Sequence, residues 1–244
     1  MGIIEGKNPV IEALKAGRPI SRILLERNIR GGNAVDRILR LADAKGIPVE
    51  YVDRQVMERP CPAGSSQGVI ALAADKKYVS LDGLFALSRE RNEPPLYVIL
   101  DGIEDPHNLG AILRTAEATG VHGVVIRERR AVGLTPAVAR ASAGAVEYVP
   151  VAMVSNISQA VLAMQKSNVW VTGIDMEGEL DYSSVDFKLP TAIVIGGEGK
   201  GLSDLVRKRC DFVARIPMRG RIASLNASVA AAVVMYEAVR QRSR

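Results

Sequence analysis

The chain has 244 residues, enough for one large domain or two modest ones. Its 32 Lys and Arg against 27 Asp and Glu leave a formal charge of +5, which permits a polyanionic partner without requiring one. A composition of 48% hydrophobic and 24% charged residues excludes a disordered chain. Two cysteines, Cys61 and Cys210, cannot build a disulfide framework, so a reducing cytoplasm is expected. With only His107 and His122 beside them, no metal site is expected either. The first residues carry no apolar signal segment. The longest uncharged stretch, 148–165, is broken by Pro150 and Asn156, so no membrane span is expected.

The first 76 residues alternate helix and strand signals. Asn8-Pro9 predicts an N-cap with proline just inside a helix that runs through Val10, Ala13 and Leu14 and stops at Gly17. Ile23-Leu24-Leu25 predicts a buried strand. Asn33 predicts the cap of a second helix, with Val35, Ile38, Leu39 and Ala42 on one face and Gly46 at its end. Strands are expected at 47–52 and 67–73, separated by the proline-rich loop 59–66. The result is a small α/β unit. Its one aromatic residue is Tyr51, so stacked bases on an aromatic sheet are excluded as its way of holding RNA.

Residues 77–95 read as a linker, with Ser80 able to cap a short helix and Pro94-Pro95 closing it. From 96 to 244 a second domain is expected. Its apolar runs at 96–100, 123–126, 169–173, 192–195 and 212–216 suit a parallel sheet covered on both faces. Helices are expected at 109–118, 136–143, 155–165 and 203–209, and a long final one at 227–240.

Three segments can carry chemistry. The first, Asp101-Gly-Ile-Glu-Asp-Pro-His-Asn108 through Arg114, lies where a strand gives way to a helix, the ligand edge of an open α/β sheet. It is also readable as a plain loop and cap. Asn108 and Arg114 are expected on broadly similar sides of that helix, an amide and a guanidinium near one ligand. The second is Gly196-Gly-Glu-Gly-Lys-Gly-Leu202. It is not a P-loop, because Val194 stands where the first glycine belongs and Gly201 replaces the Ser or Thr. It is not a dinucleotide fingerprint, because Asp204 stands at the third glycine position. Glu198 at its centre repels phosphate and suits a ribose or a positive centre. The third, Ile216-Pro-Met-Arg-Gly-Arg-Ile-Ala-Ser224-Leu-Asn-Ala-Ser228, joins a strand through a basic loop to the last helix, with Ser224 or Asn226 as its cap. Small residues at Ala227, Ala230, Ala231 and Ala232 allow that helix to pack closely.

Charge is concentrated in two places. Residues 18–40 hold six Arg against Glu26 and Asp36, and residues 207–221 hold six cations against Asp211. A charge run is usually a solvated face, but one such cluster in each domain, flanking a ligand-type loop, points to nucleic acid.

Asn108…Arg114, Gly196-Gly-Glu-Gly-Lys-Gly-Leu202 and Ser224-Leu-Asn-Ala-Ser228, in this order, resemble the three motifs of the SpoU/TrmH family of RNA ribose 2′-O-methyltransferases, part of the SPOUT superfamily. The opening 5–14 and Gln67-Gly-Val-Ile-Ala71 resemble that family's N-terminal substrate-binding extension. Over the whole chain the pattern is most similar to members that methylate a guanosine of 23S ribosomal RNA. The resemblance implies a small N-terminal α/β substrate-binding domain and a C-terminal, mostly parallel α/β domain with a trefoil knot. It implies S-adenosyl-L-methionine as cofactor, contacted by Gly196, Ile216 and Leu225 with their neighbours Gly197 and Met218. It also implies a cytoplasmic homodimer acting in ribosomal RNA processing.

The chemistry implied is displacement at a methyl group by a ribose 2′-oxygen. Arg114 is expected to stabilise the developing oxyanion, since a guanidinium stays protonated and makes a poor base. An RNA phosphate can then relay the proton. Asn108 would orient the ribose or Arg114, Glu198 would hold Arg114 or a cofactor edge, and Ser224 and Asn226 would complete the pocket. Two alternatives remain at this level: the same chemistry on transfer RNA, and a non-catalytic RNA-binding or ribosome-assembly module.

Overall fold

The computed structural model describes residues 2–29, 31–58, 66–199 and 201–243. Cys61, most of the expected 59–66 loop, and Lys200 lie outside them. The chain divides into two compact units, 1–77 with 134–148, and 78–133 with 149–244.

The first unit is built on a four-stranded mixed sheet. Its strands are β1 (Gly2–Glu5), β2 (Ile20–Glu26), β3 (Val49–Val52) and β4 (Val69–Ala73), in the order β1-β4-β2-β3. β4 runs antiparallel to β1 and β2, and β3 parallel to β2. Helices α1 (Lys7–Lys15) and α2 (Asn33–Asp43) bury Val10, Leu14, Val35 and Ile38 against Ile4, Ile23, Leu25 and Ala71. The short α3 (Arg54–Glu58) brings Met57 to Leu24 and Ile70.

Two expected caps are corrected. The helices begin one residue after a glycine, Gly6 (φ 94°) and Gly32, and neither end has a side-chain cap. Asn8 and Asn33 therefore sit inside their helices. Gly6 reaches a left-handed φ that a β-carbon would strain, and its amide bonds to the Val69 carbonyl instead.

Residues 134–148 join this unit, although the sequence places them within the second domain. They form α6 (Pro136–Ala141) and a 3-10 turn at Ala145–Glu147. Arg140 pairs with Glu5. Glu147, 8% exposed, takes Arg18 Nη1 at 2.6 Å, and its carbonyl accepts from Lys76 Nζ at 2.8 Å. Removing one partner of a buried pair of this kind costs about 3–5 kcal/mol, because the other charge is left uncompensated.

The second unit carries a seven-stranded sheet, parallel throughout. It comprises β5 (Leu96–Asp101), β6 (Gly123–Arg127), β7 (Val151–Val154), β8 (Trp170–Ile174), β9 (Leu180–Asp181), β10 (Thr191–Gly196) and β11 (Phe212–Arg215). The order is β7-β6-β5-β10-β8-β11-β9. Helices α4 (Leu81–Glu90), α7 (Ile157–Lys166) and α8 (Asp204–Arg209) contribute Leu84, Phe85, Val161, Met164 and Val206 to one core with Tyr97, Ile99, Val125 and Val194. Helices α5 (Pro106–Ala118) and α9 (Ala227–Arg242) pack on each other, and α9 packs on β10.

The expected linker thus holds a core helix. Ser80 does cap it, through Gly83 N–H at 3.0 Å. β7 and β9 were not expected. Among the described residues, no helix is long and apolar enough to cross a membrane.

Candidate active site

The sheet order reverses between β5 and β10. Connections from β5 lead outward to β6 and β7, while β8, β11 and β9 follow in that order on the far side of β10. Such a switch point leaves a crevice beyond the carboxyl ends of the two strands. Asp101 and Gly196 are the paired last residues there.

The loop after β10 folds back through a Gly197–Gly201 bridge, with Gly201 N–H donating to the Gly197 carbonyl at 3.1 Å. A β-carbon on Gly196 would collide with the Gly201 backbone, and one on Gly197 with the Gly102 carbonyl. Glycine at these two places lets the loop lie directly on the strand end.

Asp101 fastens it. Its Oδ2 accepts from Ser203 N–H at 2.9 Å and Ser203 Oγ at 2.7 Å, and its backbone carbonyl accepts from Gly197 N–H at 2.9 Å.

Beside this loop lies a cavity of about 600 Å³. Its apolar wall comes from Ile174, Ile195, Ile216, Met218 and Leu225. Gly196, Gly197, Glu198, Ser224 and Asn226 also line it. Among the described residues its charged groups are Asp175, Glu177, Glu198 and Asp204 against Arg207, and Arg207 is engaged by Glu177 at 2.6 Å. A cavity with this balance disfavours phosphate and favours a ligand with a positive centre.

Three distant residues meet at the cavity rim. Asn108, 5% exposed on the first turn of α5, donates through Nδ2 to Glu198 Oε1. Asn226 Nδ2 donates to Asn108 Oδ1 at 3.0 Å and approaches Glu198 Oε1 at 3.4 Å. Asn226 Oδ1 meanwhile caps α9, accepting from Ser228 N–H at 2.9 Å and Ser228 Oγ at 2.6 Å. The helix carrying Asn108 is itself capped by Asp105, which accepts from His107 N–H at 3.0 Å, with Pro106 in the first turn.

Of the residues singled out from the sequence, Gly196, Gly197, Ile216, Met218, Ser224 and Leu225 thus share one cavity wall with Glu198 and Asn226. Asn108 joins through hydrogen bonds. Arg114 is exposed on α5, and no described residue pairs with its guanidinium. Glu198 takes the two amides rather than Arg114. Asn108 turns inward where Arg114 faces out, so the two do not share a contact.

Sequence reading missed Asp101 with its Ser203 clamp, and Asp175. Asp175 follows β8, and its Oδ2 accepts from Leu202 N–H at 3.4 Å. Their signal is positional: each ends or follows a parallel strand at the ligand edge. Cys210 is no nucleophile, because burial and the nearby Asp211 and Asp101 push its thiol up to about 12.

Residues 95–236 match the SpoU rRNA methylase family, and residues 3–79 match the substrate-binding domain of RNA 2′-O ribose methyltransferases. YacO of Bacillus subtilis, which is assigned to the TrmH family of tRNA/rRNA methyltransferases, is 46% identical over 98% of this chain and 95% of its own. The SpoU methyltransferase AviRb of Streptomyces viridochromogenes, solved with AdoMet, superimposes with a TM-score of 0.82 at 28% identity, covering 99% of this chain and 90% of that one. An AdoMet-bound rRNA methyltransferase of Sinorhizobium meliloti gives 0.80 at 28% identity, over 98% and 87%.

Proposed function

The chain belongs to the SpoU family of RNA methyltransferases, and on that premise we propose that it methylates a ribose 2′-hydroxyl of RNA from S-adenosylmethionine, the target being a guanosine of 23S ribosomal RNA. The observation that carries the reading is the acidic, half-apolar cavity joined at its rim to the Asn108–Glu198–Asn226 network. When bound, S-adenosylmethionine supplies an electrophilic methyl group on a sulfonium.

The residues present fit that group. Ile174, Ile195, Ile216 and Leu225 offer apolar contact, and the carboxylates match a cation. Gly196 and Gly197 let the loop lie on the end of β10, which forms the cavity wall beside them. Met218 and Leu225 add apolar surface to the same wall.

Asn108 and Asn226 fix Glu198 so that its charge faces the cavity in one orientation. Ser224 borders the same wall. Arg114, which pairs with none of the described residues, would stabilise negative charge developing on the ribose oxygen, and the displaced proton would pass to an RNA phosphate oxygen.

The same reading makes the enzyme a cytoplasmic homodimer whose C-terminal domain carries a trefoil knot. Exposed Ile222, Val229 and Tyr236, on or just before α9, support a self-association face. Light scattering at micromolar concentration should give twice the chain mass, and a monomer would count against it.

Incubation with methyl-labelled S-adenosylmethionine and unmodified ribosomal and transfer RNA tests the substrate. Label on one guanosine ribose of 23S RNA is the expected result. Label confined to transfer RNA overturns the ribosomal assignment, label on a base overturns the 2′-oxygen, and no transfer at all leaves a binding module.

A further inference from the structure

From the last residue of β6 the chain reads Arg127-Glu-Arg-Arg-Ala-Val-Gly133, three arginines in four positions outside every motif named above. β5 and β6 are parallel neighbours, paired at Ile99 and Val125, so this loop leaves the same sheet edge as the Asn108 loop. Both of its flanks are pinned. Glu128 N–H donates to the Val154 carbonyl at 2.9 Å, and Val132 N–H to the Ile103 carbonyl at 3.0 Å. Ile103 lies in the segment that leads into Asp105 and Asn108. Between the pins, Arg129 and Arg130 are exposed, and Arg130 is held at a φ of 55°, a left-handed conformation uncommon for a long side chain.

Among the described residues no carboxylate pairs with Arg127, Arg129 or Arg130, and Arg127 Nε is buried without an acceptor. Elsewhere in the unit, Arg91, Arg207 and Arg240 each meet a carboxylate at 2.6 Å, and Arg215 meets one at 3.1 Å. Among the described residues, the cations left over at the ligand edge are those of this loop with Arg114, Arg219 and Arg221. Arg89 is also unpaired, but α4 ends before β5 begins, at the opposite edge.

The cavity itself is lined by carboxylates and repels a nucleic-acid backbone, so attraction must come from beside it. We propose that the 127–133 loop is a phosphate-binding ledge of the active site, on which Arg129 and Arg130 each hold an RNA backbone phosphate next to the target ribose. This rests on the RNA-methylation reading above. Guanidinium forks suit phosphate oxygens, and a loop tied to both neighbouring strand ends presents them with little ordering to lose. Guanidinium contacts to backbone phosphate fix position and carry no base information, so the ledge reads phosphate and not sequence.

The test uses the full chain, an unmodified 23S ribosomal RNA transcript and an unmodified transfer RNA transcript, with affinity measured by filter binding from 50 to 200 mM salt. R129A/R130A should lower the log–log salt slope by about 1.4, at about 0.7 for each phosphate contact on single-stranded RNA. Its affinity deficit against the wild type should then shrink about sevenfold across that salt range. The KM for RNA should rise, while the dissociation constant for S-adenosylmethionine stays at the wild-type value. R129K/R130K, which keeps the charge, should restore the slope, and Arg89→Ala should not change it. An unchanged slope in R129A/R130A, or an equal fall in Arg89→Ala, overturns the ledge. Absence of methyl transfer by the wild type to either RNA overturns the reaction instead, and the slope comparison still decides the ledge.

Discussion

Replacing Asp101 should loosen the loop that borders the cavity before it touches anything else. The carboxylate is 9% exposed, and one oxygen receives both the amide and the hydroxyl of Ser203. A hydrogen bond to a charged acceptor contributes about 1.5–3 kcal/mol, and at this burial little is lost to screening. Asp101→Ala removes two and leaves the Ser203 amide unsatisfied, so a loss of about 4 kcal/mol is expected. Ser203→Ala removes only the hydroxyl bond and should cost about 2 kcal/mol. The double variant should cost no more than Asp101→Ala, giving a coupling of about 2 kcal/mol. The single tryptophan, Trp170 on β8, reports unfolding of this unit in urea without mixing in the first one. Because Ser203 closes the 197–203 loop on the β5 end, Asp101→Ala should also weaken S-adenosylmethionine binding by about tenfold or more, equivalent to about 1.4 kcal/mol. A stability loss below about 1 kcal/mol, together with wild-type cofactor affinity, would refute the idea that this carboxylate holds the loop.

Arg114→Ala should lower single-turnover methyl transfer about 10²–10³-fold, the usual cost of one lost oxyanion donor, with cofactor affinity unchanged. Arg114→Lys should recover little because the planar fork is gone, and a near-normal alanine variant removes Arg114 from the reaction. His122 is 3% exposed, and its Nδ1 accepts from Leu96 N–H at 3.1 Å. Burial first, then the Arg91 guanidinium, lower its pKa from 6.5 to about 4, partly opposed by Glu93. The unfolded chain therefore binds the extra proton first, so this contribution is intact above pH 6.5 and is lost as pH falls toward 4, by up to about 3 kcal/mol. Urea midpoints of His122→Gln should show a shallower decline than the wild type between pH 6.5 and 4, and parallel curves would count against it. A fragment of residues 92–244 should bind a hydrophobic dye and unfold without cooperativity, because it lacks Leu84 and Phe85 of α4 and strands 134–148 without β1 and α1. Cooperative unfolding of that fragment would contradict the placement of α4.

The central strands were legible because a parallel sheet buried on both faces leaves unbroken apolar runs, and Leu96–Leu100 and Ala192–Ile195 are such runs. β1 was not, since Gly2–Glu5 is a strand only by virtue of β4, which is far along the chain. β7 lay inside an uncharged stretch whose strand and helix portions look alike until packed. The segment 134–148 read as a helix of the second domain because sequence order is all that a linear pattern supplies. What moves it is the pairing of Arg140 with Glu5 and of Arg18 with Glu147, across 135 and 129 residues. At the site, the glycine loop and the Asn226 cap were visible locally. The contact of Asn108 with Glu198 spans 90 residues and that of Asn226 with Asn108 spans 118, and no local periodicity encodes either.

The choice of amides at positions 108 and 226 follows from the same network. Glu198 is an acceptor only, so each neighbour that touches it must donate. Asn226 must also accept, because the first amides of α9 need a cap. An asparagine does both at once, with Oδ1 toward Ser228 and Nδ2 toward Asn108 and Glu198. Aspartate would keep the cap but place a second carboxylate against Glu198, in a cavity that already holds an excess of negative charge. Serine would cap but could not span to Asn108. Asn108 is constrained alike: its Nδ2 serves Glu198 while its Oδ1 receives Asn226. Each amide group is used at both ends, so the orientation of one fixes the next. The start of α9, the first turn of α5 and the loop after β10 are thereby locked to one another at the place where the cavity opens.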